Sequence, residues 1–125
     1  MTNWIKSICG KKRKSENNIL IPNVSESDII EIRNFALEGW ELGETHGLSH
    51  WQRVERNGII LSTYNGKIRE GINMKIVRFF AYLHDKCRLN DWADLEHGVR
   101  AADMLPIIRG TILKDFTDEE VSLLD

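Results

Sequence analysis

Cysteine is scarce in this sequence: Cys9 and Cys87 stand far apart, show no CxxC spacing, and come without the extracellular signs that argue for a disulfide. Two reduced thiols are expected. Proline and glycine are also few, 2 and 9, beside 42% hydrophobic and 29% charged residues, a balance that excludes disordered and collagen-like chains. No stretch approaches the roughly 18–20 consecutive apolar residues that cross a bilayer, and the N-terminus lacks the apolar run and small-residue cleavage site of a secretory signal. A soluble, cytoplasmic protein is expected. The net charge is only −2, too little for the field that gathers a nucleic-acid backbone. Nucleic acid is therefore not an expected partner, and 125 residues suit one compact domain.

Charge is unevenly spread. Lys6, Lys11, Lys12, Arg13 and Lys14 face only Glu16 before Ser25, a local +4 that leaves −6 on the remainder. Residues 1–24 are read as a basic leader with little periodicity, a solvated tail in the plain reading and an arm for polyanions or membrane surfaces in the functional one. The domain is expected over residues 25–125. Ser25, Glu26 and Asp28 supply a capping hydroxyl and two carboxylates to a helix start, and Ile29, Ile32, Ala36 and Trp40 make its apolar face. Gly39, Gly43 and Gly47 predict a stop between Trp40 and Glu44.

A second helix is expected with Ser49 as its cap, an apolar stripe of Trp51, Val54, Gly58 and Leu61, and an end at Asn65-Gly66. From Asn73 to about Arg88, the near-continuous run Ile76, Val77, Phe79, Phe80, Ala81, Tyr82 and Leu83 suits the most buried helix. A fourth should run from about Leu95 to Arg109, with Pro106 kinking or shortening its last turn. Thr117-Asp118-Glu119-Glu120 is a capping box that opens a fifth. The fold class is all-α, a single helical bundle of about five helices.

All four histidines fall within the domain, at 46, 50, 84 and 97. His84, with Asp85 beside it, closes the most apolar segment on its buried face. A lone histidine there is commonly a hydrogen-bonded core residue. A carboxylate next to it, however, is costly to desolvate unless paired or bound to a cation, and a metal satisfies both groups at once. His50, opening the second helix, can point across to His84 and Asp85, while His46 lies in the preceding loop. Two imidazoles and a carboxylate suit a divalent transition metal and leave positions for water or substrate.

The runs from His46 through His50 to Val54 (HGLSHWQRV), Phe80 to Asp85 (FAYLHD) and Glu96 to Ala102 (EHGVRAA) resemble the HD-domain metal-dependent phosphohydrolase superfamily in order and spacing. The resemblance covers roughly residues 25–125. It implies an all-α bundle in which His50 is the first metal ligand and His84 and Asp85 the second and third, binding a divalent ion such as Mn, Fe, Ni, Zn or Mg. Asp85 would also orient the attacking water. His97 resembles a histidine that assists at the phosphate or joins a second metal, set against the plain reading of a helix-start residue. His46, beside the flexible Gly47, resembles a group that orients a ligand or meets the substrate. Arg53, Arg88 and Asn90 are candidate contacts to an anionic substrate, although Arg53 and Arg88 more often pair or face solvent.

The family's last aspartate belongs to a helix after the one opening at Thr117, and the sequence stops at Asp125. Three ligands and a bare apolar face on a C-terminally incomplete bundle are the expected consequence, the face to be covered by a second copy or by repacking. Two functions follow. One is a metal-dependent hydrolase of a small phosphorylated molecule or nucleotide; the alternative is a non-catalytic HD-like module that binds metal or oligomerises.

Overall fold

A computed structural model describes residues 24–125. The basic leader expected over residues 1–24, with Cys9 in it, lies outside the described residues except for Val24. Five helices and one short hairpin follow: α1 Glu26–Leu37, α2 Leu48–Ser62, β1 Thr63–Tyr64, β2 Lys67–Ile68, α3 Met74–Leu83, α4 His97–Ile108 and α5 Asp118–Leu124. The described residues thus form the predominantly α-helical bundle that periodicity predicts. None of their helices is long and apolar enough to cross a membrane.

α1 begins as its sequence dictates. The Ser25 hydroxyl accepts from the Asp28 amide at 3.1 Å, and Ile29, Ile32 and Ala36 are fully buried. The helix stops at Leu37, before the expected Trp40, because Gly39 takes a left-handed φ of 74° that no α-helix accommodates. Trp40 still joins the core side, packing edge-on against Trp51 with ring centres 4.9 Å apart.

α2 departs from expectation at both ends. Its cap is Gly47, not Ser49; the Ser49 amide donates instead to the Glu44 carboxylate at 3.2 Å, which satisfies one orphan N–H group of the first turn. Its other end is Ser62. Asn65 and Gly66, with φ of 52° and 75°, form the turn of the β1–β2 hairpin, whose antiparallel register pairs Thr63 with Ile68 and Tyr64 with Lys67. An Asn-Gly pair between two β-capable residues is a hairpin signal as well as a helix stop, and the tight turn prevails.

The inward face of α2 also differs from the expected stripe. Trp51, Glu55 and Ser62 are buried, whereas Leu61 is 74% exposed. Glu55 has no accessible surface. Its carboxylate accepts from Arg78 Nε at 2.7 Å and from the Tyr82 hydroxyl at 2.6 Å, both on α3. Burying an unpaired carboxylate is prohibitive, so the two donors are what permit this face.

α3 is the central helix, with α2 along one side, α1 across it and α5 against its start. The Asn73 side chain caps it by accepting from the amides of Lys75 and Ile76. It ends at Leu83 with His84 as C-cap, and the turn that follows replaces the helix expected as far as Arg88. Arg78, Ala81, Tyr82 and Asp85 turn inward, while Phe80, expected in the core, is 43% exposed. α4 starts at His97, two residues later than expected. Pro106 lies inside it, and the last turn tightens to a bond from the Arg109 amide to the Pro106 carbonyl.

α5 carries the predicted capping box in full: the Thr117 hydroxyl accepts from the Glu120 amide, and the Glu120 carboxylate accepts from the Thr117 amide. That carboxylate also accepts from Asn73 Nδ2 at 2.8 Å and Lys75 Nζ at 2.9 Å, tying the start of α5 to the start of α3.

Candidate metal centre

The site gathers at the C-terminal end of α3. The chain turns sharply after His84 and sends Asp85 inward, leaving it 2% exposed. The first turn of α2 delivers His50 and the first residue of α4 delivers His97. His50 Nε2 and His84 Nε2 each lie 3.1 Å from Asp85 Oδ2. On the other carboxylate oxygen, Oδ1, Arg88 Nε stands at 3.1 Å and His97 Nε2 at 3.3 Å. Residues from α2, the α3 turn and α4, far apart in sequence, thus share one carboxylate.

The proton positions on the imidazoles decide what this cluster can hold. His84 Nδ1 lies 3.0 Å from the Ala81 carbonyl and 3.1 Å from that of Phe80, and His97 Nδ1 lies 2.6 Å from the Asp94 carbonyl. Carbonyls only accept, so Nδ1 carries the proton in both rings. A neutral ring then presents a lone pair at Nε2 toward the Asp85 carboxylate, an unfavourable meeting of two acceptors. A second proton on the ring or a cation shared with the carboxylate resolves it.

The donor set fits the second solution. One ligand atom from each of His50, His84 and Asp85 lies within 4.8 Å of the others. A cation bonded at about 2.0–2.2 Å to two donors at right angles holds them about 3 Å apart, the separation of each imidazole nitrogen from Asp85 Oδ2. Ligation requires a neutral imidazole and an ionised carboxylate. Burial pushes His50 below its ordinary value, aided by the charges of His84, His46 and Arg53 and opposed by Asp85. For Asp85, burial acts upward but is outweighed by hydrogen bonding and charge from His84 and Arg88, which bring the carboxyl down to about 2.

The other expected site residues fall in different places. His46 packs edge-on against His50, ring centres 5.7 Å apart, and its Nδ1 lies 3.0 Å from Asp91 Oδ1. Gly47 permits a close approach within this loop: a Cβ there would stand 2.7 Å from the Gly43 carbonyl oxygen. Arg88 is not free to grip a substrate anion. Beyond Asp85 it donates through Nη1 to the carbonyls of Asn90 at 3.1 Å and Trp92 at 3.2 Å. The Asn90 side chain accepts from the Trp92 amide at 2.8 Å and shapes the same loop. Arg53 is exposed on α2, one turn beyond His50.

Two residues that sequence reasoning passed over take part. Asp91 fixes the His46 ring. Asp94 holds Arg100 through its carboxylate and His97 through its carbonyl, and accepts from the Leu89 amide at 2.8 Å. Their signal was a pair of aspartates three apart shortly before His97. Beside His84 and His97 an apolar groove of about 190 Å³ opens between α3, α4 and α5, with Phe80, Leu83, Ala101 and Leu105 in its walls. Cys87, a free thiol beside the site, is half-buried, and burial pushes its pKa up. No family model, no curated protein and no solved structure matches this chain.

Proposed function

We propose that this protein is a metal-dependent hydrolase of a phosphate ester or nucleotide, with His50, His84 and Asp85 holding one divalent cation. The observation that carries this reading is the pair of imidazole Nε2 atoms, each 3.1 Å from the same buried carboxylate oxygen, one of them on a ring whose Nδ1 proton is committed to backbone carbonyls. A bound divalent ion supplies Lewis-acid polarisation of a phosphoryl oxygen and a bound water acidic enough to ionise near neutral pH.

The chain's own residues do the rest. Arg88 neutralises the outer oxygen of Asp85 and fixes the carboxylate plane, leaving Oδ2 for the cation. His97, held by the Asp94 carbonyl, faces the same carboxylate and can carry a proton and positive charge beside a phosphate. His46 donates from Nδ1 to Asp91, which leaves its Nε2 to take or give a proton at the substrate. The apolar groove lets the non-phosphate part of a small substrate leave water.

A second reading draws on two features: among the described residues the metal-competent group contains one carboxylate and no second aspartate, and the groove beside it is largely apolar. Both suit a non-catalytic module that binds metal and pairs with a second copy of itself. Purified protein, stripped and reloaded with Mn, Fe, Ni, Zn or Mg in turn, distinguishes the two on a panel of nucleotides and p-nitrophenyl phosphate. Turnover that requires one reloaded metal and is lost in His84→Ala supports the hydrolase. One bound ion per dimer or monomer without turnover supports the module, and failure to bind any of the five ions sinks both.

A further inference from the structure

We infer that the groove along the outer side of α2 beside the metal centre is a second anion subsite, built for the distal phosphates of a small polyphosphate; this rests on the phosphohydrolase reading above. Ser49, Gln52, Arg53 and Arg56 line a surface groove of about 290 Å³. These positions follow the three- and four-residue spacing of one helical stripe. The stripe starts next to His50 and runs away from it, with a rise of about 4.5 Å to Arg53 and about 9 Å to Arg56 from the metal-site histidine. A phosphate at the metal centre therefore has a line of donors leading outward from it.

Three arginines among the described residues, Arg33, Arg53 and Arg56, have no hydrogen-bonded partner, and only Arg53 and Arg56 stand together in one groove. Arg69, Arg78, Arg88, Arg100 and Arg109 each donate to a carbonyl or carboxylate. Arg53 and Arg56 have no such partner among the described residues, and no acid stands three or four positions from either along α2. The one carboxylate between them, Glu55, points the other way into the core and is taken by Arg78 and Tyr82. Like charges on neighbouring turns of one helix face repel, and no acid of the described fold offsets this pair. The nearest carboxylate at the head of the stripe, Glu44, is engaged with the Ser49 amide. The Ser49 amide is thus engaged, and the guanidiniums, with the Ser49 hydroxyl and the Gln52 amide, are the side-chain anion donors that the groove offers.

Two guanidiniums in sequence along a groove fit an anion with charge repeated over a short distance. A small polyphosphate fits better than a nucleic-acid strand, because residues 25–125 carry −6 and repel an extended polyanion. Substrates with two or three linked phosphates should be preferred over monophosphates.

The test is titration calorimetry of the full chain with orthophosphate, pyrophosphate and tripolyphosphate, with chelator present so that the metal centre plays no part. A short single-stranded oligonucleotide at matched phosphate concentration is the control. Tripolyphosphate is expected to bind at least about tenfold more tightly than orthophosphate, and Arg53→Gln/Arg56→Gln to remove that advantage, since charge-assisted hydrogen bonds are the stronger kind. The Lys double variant should keep a part of it, and circular dichroism should show unchanged helix content in both. Equal affinity for orthophosphate and tripolyphosphate, an unchanged preference in the Gln variant, or tighter binding of the oligonucleotide each overturns the inference. Because binding is read without metal, a chain that prefers tripolyphosphate yet never hydrolyses it retains the subsite and loses only the hydrolase.

Discussion

His50 Nε2 lies 3.1 Å from Asp85 Oδ2, joining the first turn of α2 to the turn that ends α3. His84 Nε2 reaches the same oxygen at the same distance, so under the proposed function an ion bound there would be held by all three residues. Replacing any one with alanine should lower metal content, measured by elemental analysis, from about one ion per chain to a trace. Hydrolysis should fall by more than the roughly 10–100-fold typical of losing a group that merely orients a ligand. Full metal occupancy in both His50→Ala and His84→Ala would place the ion elsewhere.

Asp91→Asn tests the hydrogen bond to His46. The amide is isosteric but offers one acceptor oxygen in place of two, which weakens the 3.0 Å contact that fixes the His46 ring and its tautomer. Metal content should stay at the wild-type level while kcat falls about 10–100-fold. A kcat equal to that of wild type would leave the Asp91–His46 contact without a part in the reaction.

Glu55→Ala leaves Arg78, 1% exposed, without its principal partner. Breaking a buried ion pair in this way costs about 3–5 kcal/mol, read as a lower urea midpoint. Tyr82→Phe removes one donor to the same carboxylate and should cost about 1–3 kcal/mol. A Glu55→Ala variant with unchanged stability would contradict the buried pairing.

Glu120 gives the bundle an acid-sensitive joint. Hydrogen bonding from the Thr117 amide, then from Lys75 and Asn73, brings its carboxyl from an ordinary 4.5 down to about 2. The folded state therefore favours the ionised form. Its stabilisation is present in full above pH 4.5 and is lost as the pH falls through about 2. Thermal melts should show wild type losing Tm across that window and Glu120→Gln losing less, from a lower starting value. Thr117→Ala, which removes the reciprocal cap, should cost about 0.5–2 kcal/mol at neutral pH.

Much of this architecture is legible in the residues themselves, for reasons that can be named. Ser25 and Thr117 cap their helices because capping depends on only three or four neighbouring residues. α3 is central because its apolar run is long enough to bury Phe79, Ala81, Tyr82 and Leu83. His50, His84 and Asp85 come together because a histidine at one helix start and a His-Asp pair at another helix end need only antiparallel packing to meet. Less was visible where a local rule met a tertiary one. Glu55 reads as a solvent residue until its donors arrive from α3, and those donors, Arg78 and Tyr82, sit among hydrophobic neighbours that hide the polar stripe. Asn65-Gly66 reads as a helix stop or a hairpin, and only the pairing of Thr63 with Ile68 decides. Asp91 and Asp94 lie in a loop, where no periodicity announces which side chain turns inward.

The Glu55–Arg78 ion pair has a geometric consequence beyond its energy. Sliding α2 along α3 by one turn, about 5.4 Å, would strand both charges in the core, so the register of these two helices is quantised by electrostatics and not only by side-chain shape. His50 rides on one of them and His84 caps the other, and their separation can therefore change only in discrete steps.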